Sequence, residues 1–290
     1  MNEARALGLG QRRGGPSRPD DDGPDLNRVR PLSAHQVYEV IRREGEEELE
    51  RDTLGLFMSG LAAGIAIAAS IQGKMMLAIY LPDEPWALLV QHTAYPVGFL
   101  LVICGRLQLF TEHTITAVTP VACEPSFLSV LKLLRLWALV LAANLIGATF
   151  AAWFTVSSGA FDPGAVETLL SLSPGMEDQG FAKTMIKGIG AGFLIAALVW
   201  LLPSVRSSQV AAIFVVTYLI ALCDFSHVIA SSVEVMAHVI AGRDGLGEAI
   251  YGYILPSLAG NVIGGTTLFT LLVYSQVRNA ARGETTPGRG

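Results

Sequence analysis

Apolar residues are gathered into six long runs, and polar residues are concentrated between these runs and at both ends of the chain. A helix that crosses a bilayer needs roughly 20 mainly apolar residues, and every run reaches about that length. The pattern therefore predicts an all-α integral membrane protein with six transmembrane segments. The runs are residues 54–79, 86–119, 127–156, 183–204, 207–242 and 249–277.

Polar residues interrupt the second and the fifth run, which are also too long for one straight span. Non-helical backbone at membrane depth is tolerated only where protein buries it or where it lines a cavity. We therefore predict two broken helices, and paired interruptions of this kind point to a transport pathway. The interruptions read Gly105-Arg-Leu-Gln-Leu-Phe-Thr-Glu-His-Thr114 and Cys223-Asp-Phe-Ser-His227.

A short motif occurs twice and divides the chain into two similar halves. The breaks keep their place relative to this motif, because Thr111 precedes Asn144 by 33 residues and His227 precedes Asn261 by 34. We therefore predict one membrane module used twice, with Thr111 as the counterpart of His227. The two copies read Asn144-Leu-Ile-Gly-Ala-Thr149 and Asn261-Val-Ile-Gly-Gly-Thr266.

The polar ends of the chain add an amphipathic helix and two tails to this membrane domain. The helix begins at a capping box of Ser33 and Gln36, and it lies on the membrane surface or packs under the bundle. Arginines at both ends predict that both termini are cytoplasmic. The predicted parts are a disordered cytoplasmic tail (1–31), the amphipathic helix (32–53), a six-span domain (54–277, with repeats over about 54–156 and 183–277) and a cytoplasmic tail (278–290).

Only 16% of the residues are charged, against about 25% in soluble domains. The expected surroundings are therefore membrane lipids, and no nucleic-acid partner is predicted. An ionisable residue inside a membrane segment is functional by default, which makes His227 the strongest candidate for a substrate site. The alternative is a histidine that a neighbouring backbone carbonyl satisfies.

The first break offers a hydroxyl beside two apolar side chains. Thr111 can both donate and accept a hydrogen bond, although it could equally close a turn. Leu109 and Phe110 form an apolar collar next to it, and such a constriction can gate by excluding water. Core packing explains the same two residues equally well.

Four charged residues near the breaks complete the predicted pathway. Arg106 either pairs with Glu112 or Asp224 or presents a fixed positive charge to an anion. The pair is favoured, because an unpaired buried arginine is costly. Lys187 either reaches into a vestibule or extends to the lipid headgroups.

Glu234 and His238 share one helix face through their i,i+4 spacing. The fuller motifs that hold a metal are absent around them, so we predict a hydrogen-bonded pair and neither a metal nor a cofactor site.

Four motifs in this order, within residues 35–277, resemble the formate/nitrite transporter family. The resemblance implies six spans in an aquaporin-like inverted 3+3 repeat, and a homopentamer with one pore in each protomer. It also implies a bacterial inner-membrane channel or transporter, not an enzyme, for small monovalent anions of the formate, nitrite or hydrosulfide type, with proton coupling or pH gating. The motifs are Leu109-Phe110-Thr111, Asn144-Leu-Ile-Gly147, His227-Val-Ile-Ala230 and Asn261-Val-Ile-Gly-Gly265.

The resemblance also assigns roles within the pathway. It places Thr111 and His227 at the central site, and Leu109 and Phe110 at the constriction beside it. Asn261 holds its loop and lines the pore, and Asn144 belongs to the same pathway.

Several positions depart from the family pattern and place the chain in a divergent branch. The departures are Arg106, Gln108, Asp224, Ser226, Ser231, Ser232 and Gly192.

Three other hypotheses about the function stay open at this point. A neutral-solute pore of aquaporin type would carry two Asn-Pro-Ala boxes, and the sequence has neither. A transport-inactive scaffold would have its pore blocked by Arg106. A membrane enzyme would gather Glu112, His113, Asp224, His227, Glu234 and His238 around a metal.

Overall fold

The computed structural model describes residues 32–172 and 180–276, and every regular element within them is helical. The predicted tails, 1–31 and 278–290, lie outside the described residues. The main helices are α1 (Ala34–Glu50), α2 (Thr53–Tyr80), α3 (Ala87–Cys104), α4 (Val118–Cys123), α5 (Phe127–Ser157), α6 (Pro163–Leu172), α7 (Phe181–Leu201), α8 (Gln209–Leu222), α9 (Val228–Ile240) and α10 (Leu246–Gln276).

Five of the described helices are long and apolar enough to cross a membrane. They are α2, α3, α5, α7 with the short turn that follows it, and α10. The fifth predicted run forms two shorter apolar helices, α8 and α9, with the polar residues 223–227 between them. The second run likewise ends its long helix at Cys104 and resumes as α4 only at Val118. Both predicted breaks are therefore present.

Each repeat packs its first helix closely against its last. A β-carbon built on Gly64 of α2 would lie 2.9 Å from the carbonyl carbon of Asn144 in α5. A β-carbon on Gly192 of α7 would lie 2.7 Å from the Cα of Asn261 in α10. Real β-carbons do not approach that closely, so glycine is what brings each asparagine against the facing backbone. This packing places both asparagines beside the breaks.

Helix α1 packs against the helices of the membrane domain. Its capping box forms, because the Gln36 amide donates to Ser33 Oγ and the Ser33 amide donates to Gln36 Oε1. The side chain of Ile41 is buried, and a Gln108 amide hydrogen of the first break is donated to Glu48 Oε1 over 3.1 Å. Helix α1 therefore contacts the first break.

Candidate functional site

One buried asparagine holds the first break from three sides. Asn144 Nδ2 donates to the carbonyl of Gly60 over 2.7 Å and to the carbonyl of Gln108 over 2.9 Å. Its Oδ1 accepts from the amide of Phe110 over 2.9 Å. The side-chain amide thus replaces the helical partners that this stretch of backbone lacks, as buried polar groups require. The segment around Leu109 is fixed in an open, non-helical path.

Asn261 does the same for the second break with nearly the same geometry. Its Nδ2 donates to the carbonyls of Gly188 and Ser226 over 2.9 and 2.8 Å. Its Oδ1 accepts from the amide of Val228 over 2.9 Å. The residue between the two bonded break positions is His227. The predicted loop-holding role of Asn261 is therefore visible in its contacts, and neither asparagine lines a described cavity.

This matching geometry corrects the predicted pairing of Thr111 with His227 across the repeats. The residue between the two positions bonded by Asn144 is Leu109, so Leu109 is the counterpart of His227 and Thr111 that of Ile229. Arg106 and Asp224 also match, because both have left-handed backbone with φ of 54° and 52° and end the first half of each broken helix. Counting back from the motifs failed because the chain segments between break and motif differ in length.

Thr111 and His227 nevertheless meet at the centre of the protein. Thr111 Oγ1 and His227 Nε2 are 2.8 Å apart, and both residues are fully buried. His227 Nδ1 accepts the amide hydrogen of Ala230 over 3.2 Å, so the ring serves as the N-cap of α9. With Nδ1 occupied as an acceptor, the neutral ring carries its hydrogen on Nε2 and donates it to Thr111. The hydroxyl hydrogen of Thr111 then remains available to another acceptor.

Two backbone amides beside this pair have no hydrogen-bond partner among the described residues. They belong to Thr111 and Ile229, which occupy matching positions in the two breaks and are both buried. A buried amide without a partner is uncommon and marks a place where another acceptor can bind. The centre therefore combines an imidazole, a hydroxyl and two free amide donors.

Two cavities approach the centre, and neither is lined by Thr111 or His227. Cavity A, of about 640 Å³, lies beside the first break and α1, and its lining includes Glu48, Arg51, Arg106, Gln108, Glu112 and His113. Cavity B, of about 330 Å³, lies beside the second break, and its lining includes Lys74, Tyr95, Asp224, Ser231, Glu234 and Tyr253. Gln108 and Glu112 flank Thr111 and line cavity A, whereas Phe225 flanks His227 and lines cavity B, so the buried pair lies between residues that line the two cavities.

Apolar side chains pack tightly around the pair. Leu109 and Phe110 are buried, and the Phe110 ring packs against Trp137 with centroids 5.7 Å apart. Phe99 meets the His227 ring edge-on at 4.9 Å. Neither Leu109 nor Phe110 lines cavity A or cavity B, which is consistent with a closed segment between these two cavities.

Arg106 does not block the centre and does not pair with Asp224. It is exposed and lines cavity A, whereas Asp224 lines cavity B. Within the described ranges, Arg106 has no ion pair within 4 Å, and Glu112 Oε1 is buried without a hydrogen-bond partner. The predicted Arg106–Glu112 and Arg106–Asp224 pairs are thus absent from this structure. Its position also removes the physical basis for a scaffold plugged by arginine.

Asp224 instead pairs with Lys187. Lys187 therefore reaches the residue that ends the first half of the second broken helix. The side chain of Asp224 is 75% exposed and that of Lys187 is 18% exposed, so the pair sits at the mouth of cavity B.

Glu234 and His238 do not pair with each other, contrary to the prediction. Glu234 Oε1 receives a hydrogen bond from Lys74 Nζ over 3.0 Å, and His238 Nδ1 lies 3.1 Å from Asp244 Oδ2. In the part of the chain that the structure describes, no group of three or more His, Cys, Asp or Glu side chains is arranged to hold a metal. Sequence reasoning missed Lys74, although a lysine inside the first apolar run is the signal that should have drawn attention to it.

A repeated scaffold with two broken helices, and a buried polar centre between two cavities, defines a membrane channel or transporter. A family model described as formate/nitrite transporter matches residues 35–275. The inner membrane protein YfdC of Escherichia coli is 36% identical over 249 residues, covering 86% of this chain and 80% of YfdC. The uncharacterized transporter YrhG of Bacillus subtilis is 28% identical over 249 residues, covering 82% of this chain and 91% of YrhG.

The fold is also shared with solved structures. A pentameric formate channel with formate bound superposes with a TM-score of 0.67 at 19% identity, covering 78% of this chain and 98% of that chain. The chain belongs to the formate/nitrite transporter family. It is therefore an anion channel or transporter of the membrane and not an enzyme, and it has the aquaporin-like fold that the family resemblance implied.

Proposed function

We propose that the protein conducts small monovalent anions of the formate, nitrite or hydrosulfide type across a bacterial inner membrane. The observation that carries this proposal is the buried Thr111–His227 contact between two cavities, with two free amides beside it. Every group that this centre leaves available is a hydrogen-bond donor. Buried donors without partners stabilise an anion that has lost its water, and they offer little to a cation.

The hydrogen bonds at the Thr111–His227 centre suggest a separate role in anion binding for each residue. Ala230 holds His227 Nδ1, so His227 directs Nε2 at Thr111 and orients that hydroxyl. Thr111 offers its O–H to the anion, and the amides of Thr111 and Ile229 add two fixed donors. Leu109 and Phe110 form the dry segment on the path, where an anion has to leave its hydration shell. A weak acid can shed that cost by taking up a proton, which is the basis of the proposed proton coupling.

The proposed assembly and orientation rest on other observations. The solved formate channel is a pentamer, and large apolar side chains of α5 are exposed on this protomer, including Phe150 and Trp153. We propose a homopentamer with one pathway in each protomer. Lys132 and Arg135 lie where α5 meets the end of α1, and they donate to the Glu50 carboxylate and to the Arg51 carbonyl, respectively. These positive charges support a cytoplasmic location for cavity A and for both termini.

Anion flux into proteoliposomes tests the proposal. Formate, nitrite, hydrosulfide and chloride are compared at pH 5 and pH 7.5, with wild type beside His227→Ala and Thr111→Val. The Thr111 substitution keeps the shape and removes one donor, so we expect formate flux to fall by about 10- to 100-fold. His227→Ala is expected to lose both flux and its pH dependence.

Thr149→Val is the matched control for these variants. Thr149 lies on the apolar outer face of α5, and its hydroxyl donates only to the Leu145 carbonyl of its own helix. Its flux should equal that of wild type. Unchanged flux and unchanged pH dependence in His227→Ala would exclude the proposed centre, and absence of flux for all four anions in wild type would exclude the proposed substrates.

A further inference from the structure

An ion pair with little exposure to solvent lies in the lining of cavity B. Lys74 of α2 donates from Nζ to Glu234 Oε1 of α9 over 3.0 Å, and each side chain is only 16% exposed. Both residues line the cavity. Taking two charges largely out of water is costly, and a pair in such a place is weak grounds for a purely stabilising role.

We propose that Lys74 is an anion-binding residue of the pathway, and that Glu234 occupies it whenever no anion is bound. The ligand is a small carboxylate such as formate, or nitrite, whose two oxygens resemble a carboxylate. This inference rests on the proposed anion conduction and adds a capture site in cavity B, away from the Thr111–His227 centre.

The surroundings of Lys74 favour an anion at this position. An ammonium has three donors, and Nζ has one described hydrogen bond, the one to Glu234. Lys74 is also the one lysine or arginine among the described residues that line cavity B. The cavity's other acids already face partners, Asp224 with Lys187 and Asp244 with His238.

The contact of Glu234 with Lys74 indicates that the site binds a carboxylate. Its carboxylate is a tethered equivalent of formate, already bound by the ammonium at ordinary hydrogen-bond length. An incoming carboxylate therefore replaces one charge-assisted hydrogen bond with another of the same kind. The displaced Glu234 then repels the bound anion, which keeps binding weak. Conduction needs a site that is favourable enough to enter and weak enough to leave.

Equilibrium binding tests this inference without relying on transport. Carbon-13 formate is titrated onto the full-length protein in detergent and followed by its NMR line width, with nitrite as competitor. Glu234→Gln keeps the side-chain shape but removes the competing charge, so formate should bind about three- to tenfold more tightly. Lys74→Met should weaken binding by at least about tenfold.

Lys183→Met is the matched control. It removes the same charge from an exposed lysine at the start of α7 that does not line cavity B. Formate binding should change by less than about twofold. Because Lys74→Met leaves Glu234 without its partner and can destabilise the fold, the double variant Lys74→Met/Glu234→Gln is measured as well. It lacks both charges and should bind formate as weakly as the single lysine variant.

The outcomes separate this inference from the proposed function. Formate binding that depends on Lys74, in a protein that conducts nothing, would support the capture site and contradict the conduction proposal. Conduction with unchanged binding in Lys74→Met and Glu234→Gln would overturn the capture site alone and leave the ion pair as a structural contact. Absence of any formate or nitrite binding to wild type up to about 100 mM would overturn it too.

Discussion

Replacing Asn144 or Asn261 with alanine tests whether these two amides hold the broken helices open. Each asparagine is fully buried and makes three hydrogen bonds to backbone groups, two as donor and one as acceptor. Alanine removes all three bonds in each case. Because the two sets of bonds match in partner type and length, we expect both variants to lose similar stability.

The expected loss follows from the number and kind of these bonds. Side-chain hydrogen bonds between membrane helices contribute about 0.6 kcal/mol each on average, so three bonds give about 2 kcal/mol. The break carbonyl and the break amide that lose their partner are also buried, and an unsatisfied buried group costs about 1–3 kcal/mol. The lost bonds alone set a lower limit of about 2 kcal/mol, and one unsatisfied group at about 3 kcal/mol raises the upper limit to about 5 kcal/mol. We therefore expect the free energy of unfolding to fall by about 2–5 kcal/mol in each variant.

Reversible unfolding by SDS in mixed micelles, followed by tryptophan fluorescence, measures this loss. Thr149→Ala is the control, because that hydroxyl donates to a carbonyl of its own helix, and its effect should stay within about 0.5 kcal/mol. Losses below about 0.5 kcal/mol in both asparagine variants would refute the idea that the amides hold the breaks. A large loss in only one variant would refute the equivalence of the two breaks.

Two further predictions concern helix packing and helix α1. Gly192→Ala should lower stability by about 1–3 kcal/mol in the same assay, because the new β-carbon meets the α10 backbone, whereas Gly252→Ala meets nothing within 4 Å and should be neutral. Hydrogen bonds from two arginines of α1 lower the pKa of Glu39 to about 2. A lowered carboxyl pKa stabilises above the unfolded value of about 4.3, and this contribution is lost as the pH falls towards 2. The stability difference between wild type and Glu39→Gln should therefore shrink over that range, and a difference that is constant from pH 2 to 7 would contradict this assignment.

Much of the architecture follows from the pattern of apolar residues. Membrane-length helices and the two interruptions are readable because a bilayer fixes the length of a span and forbids exposed backbone within it. The contact of Thr111 with His227 was anticipated from the family resemblance and not from the repeat, since the two residues are not counterparts. The sequence motif identifies the two asparagines. The backbone positions that they bond depend on the lengths of the intervening segments, which the motif does not predict.

Side-chain partners were harder to predict than backbone path. Asp224, Glu234 and His238 each find a partner on another element, Lys187, Lys74 and Asp244 in turn. Spacing along one helix describes only neighbours on that helix, so it suggested a Glu234–His238 pair that does not form. An ionisable residue in an apolar run indicates that a partner is needed, but only the fold shows which residue that partner is.

The two breaks share a backbone scaffold and differ in the side chains that they present. The left-handed residue is Arg106 in one and Asp224 in the other, and Asp224 is paired with Lys187, so cavity A has a positive side chain and cavity B an ion pair at matching points. The central position is Leu109 in one and His227 in the other. Because the scaffold is the same, these chemical differences come from side chains alone, and neither repeat contains the whole donor set. The centre exists only where Thr111 of the first break meets His227 of the second, so the proposed pathway has a polar middle and two unlike mouths. On the proposed pathway, an anion that enters through cavity A meets Arg106 and one that enters through cavity B meets the Asp224–Lys187 pair, so the two directions of approach differ in these side chains while the centre is common to both.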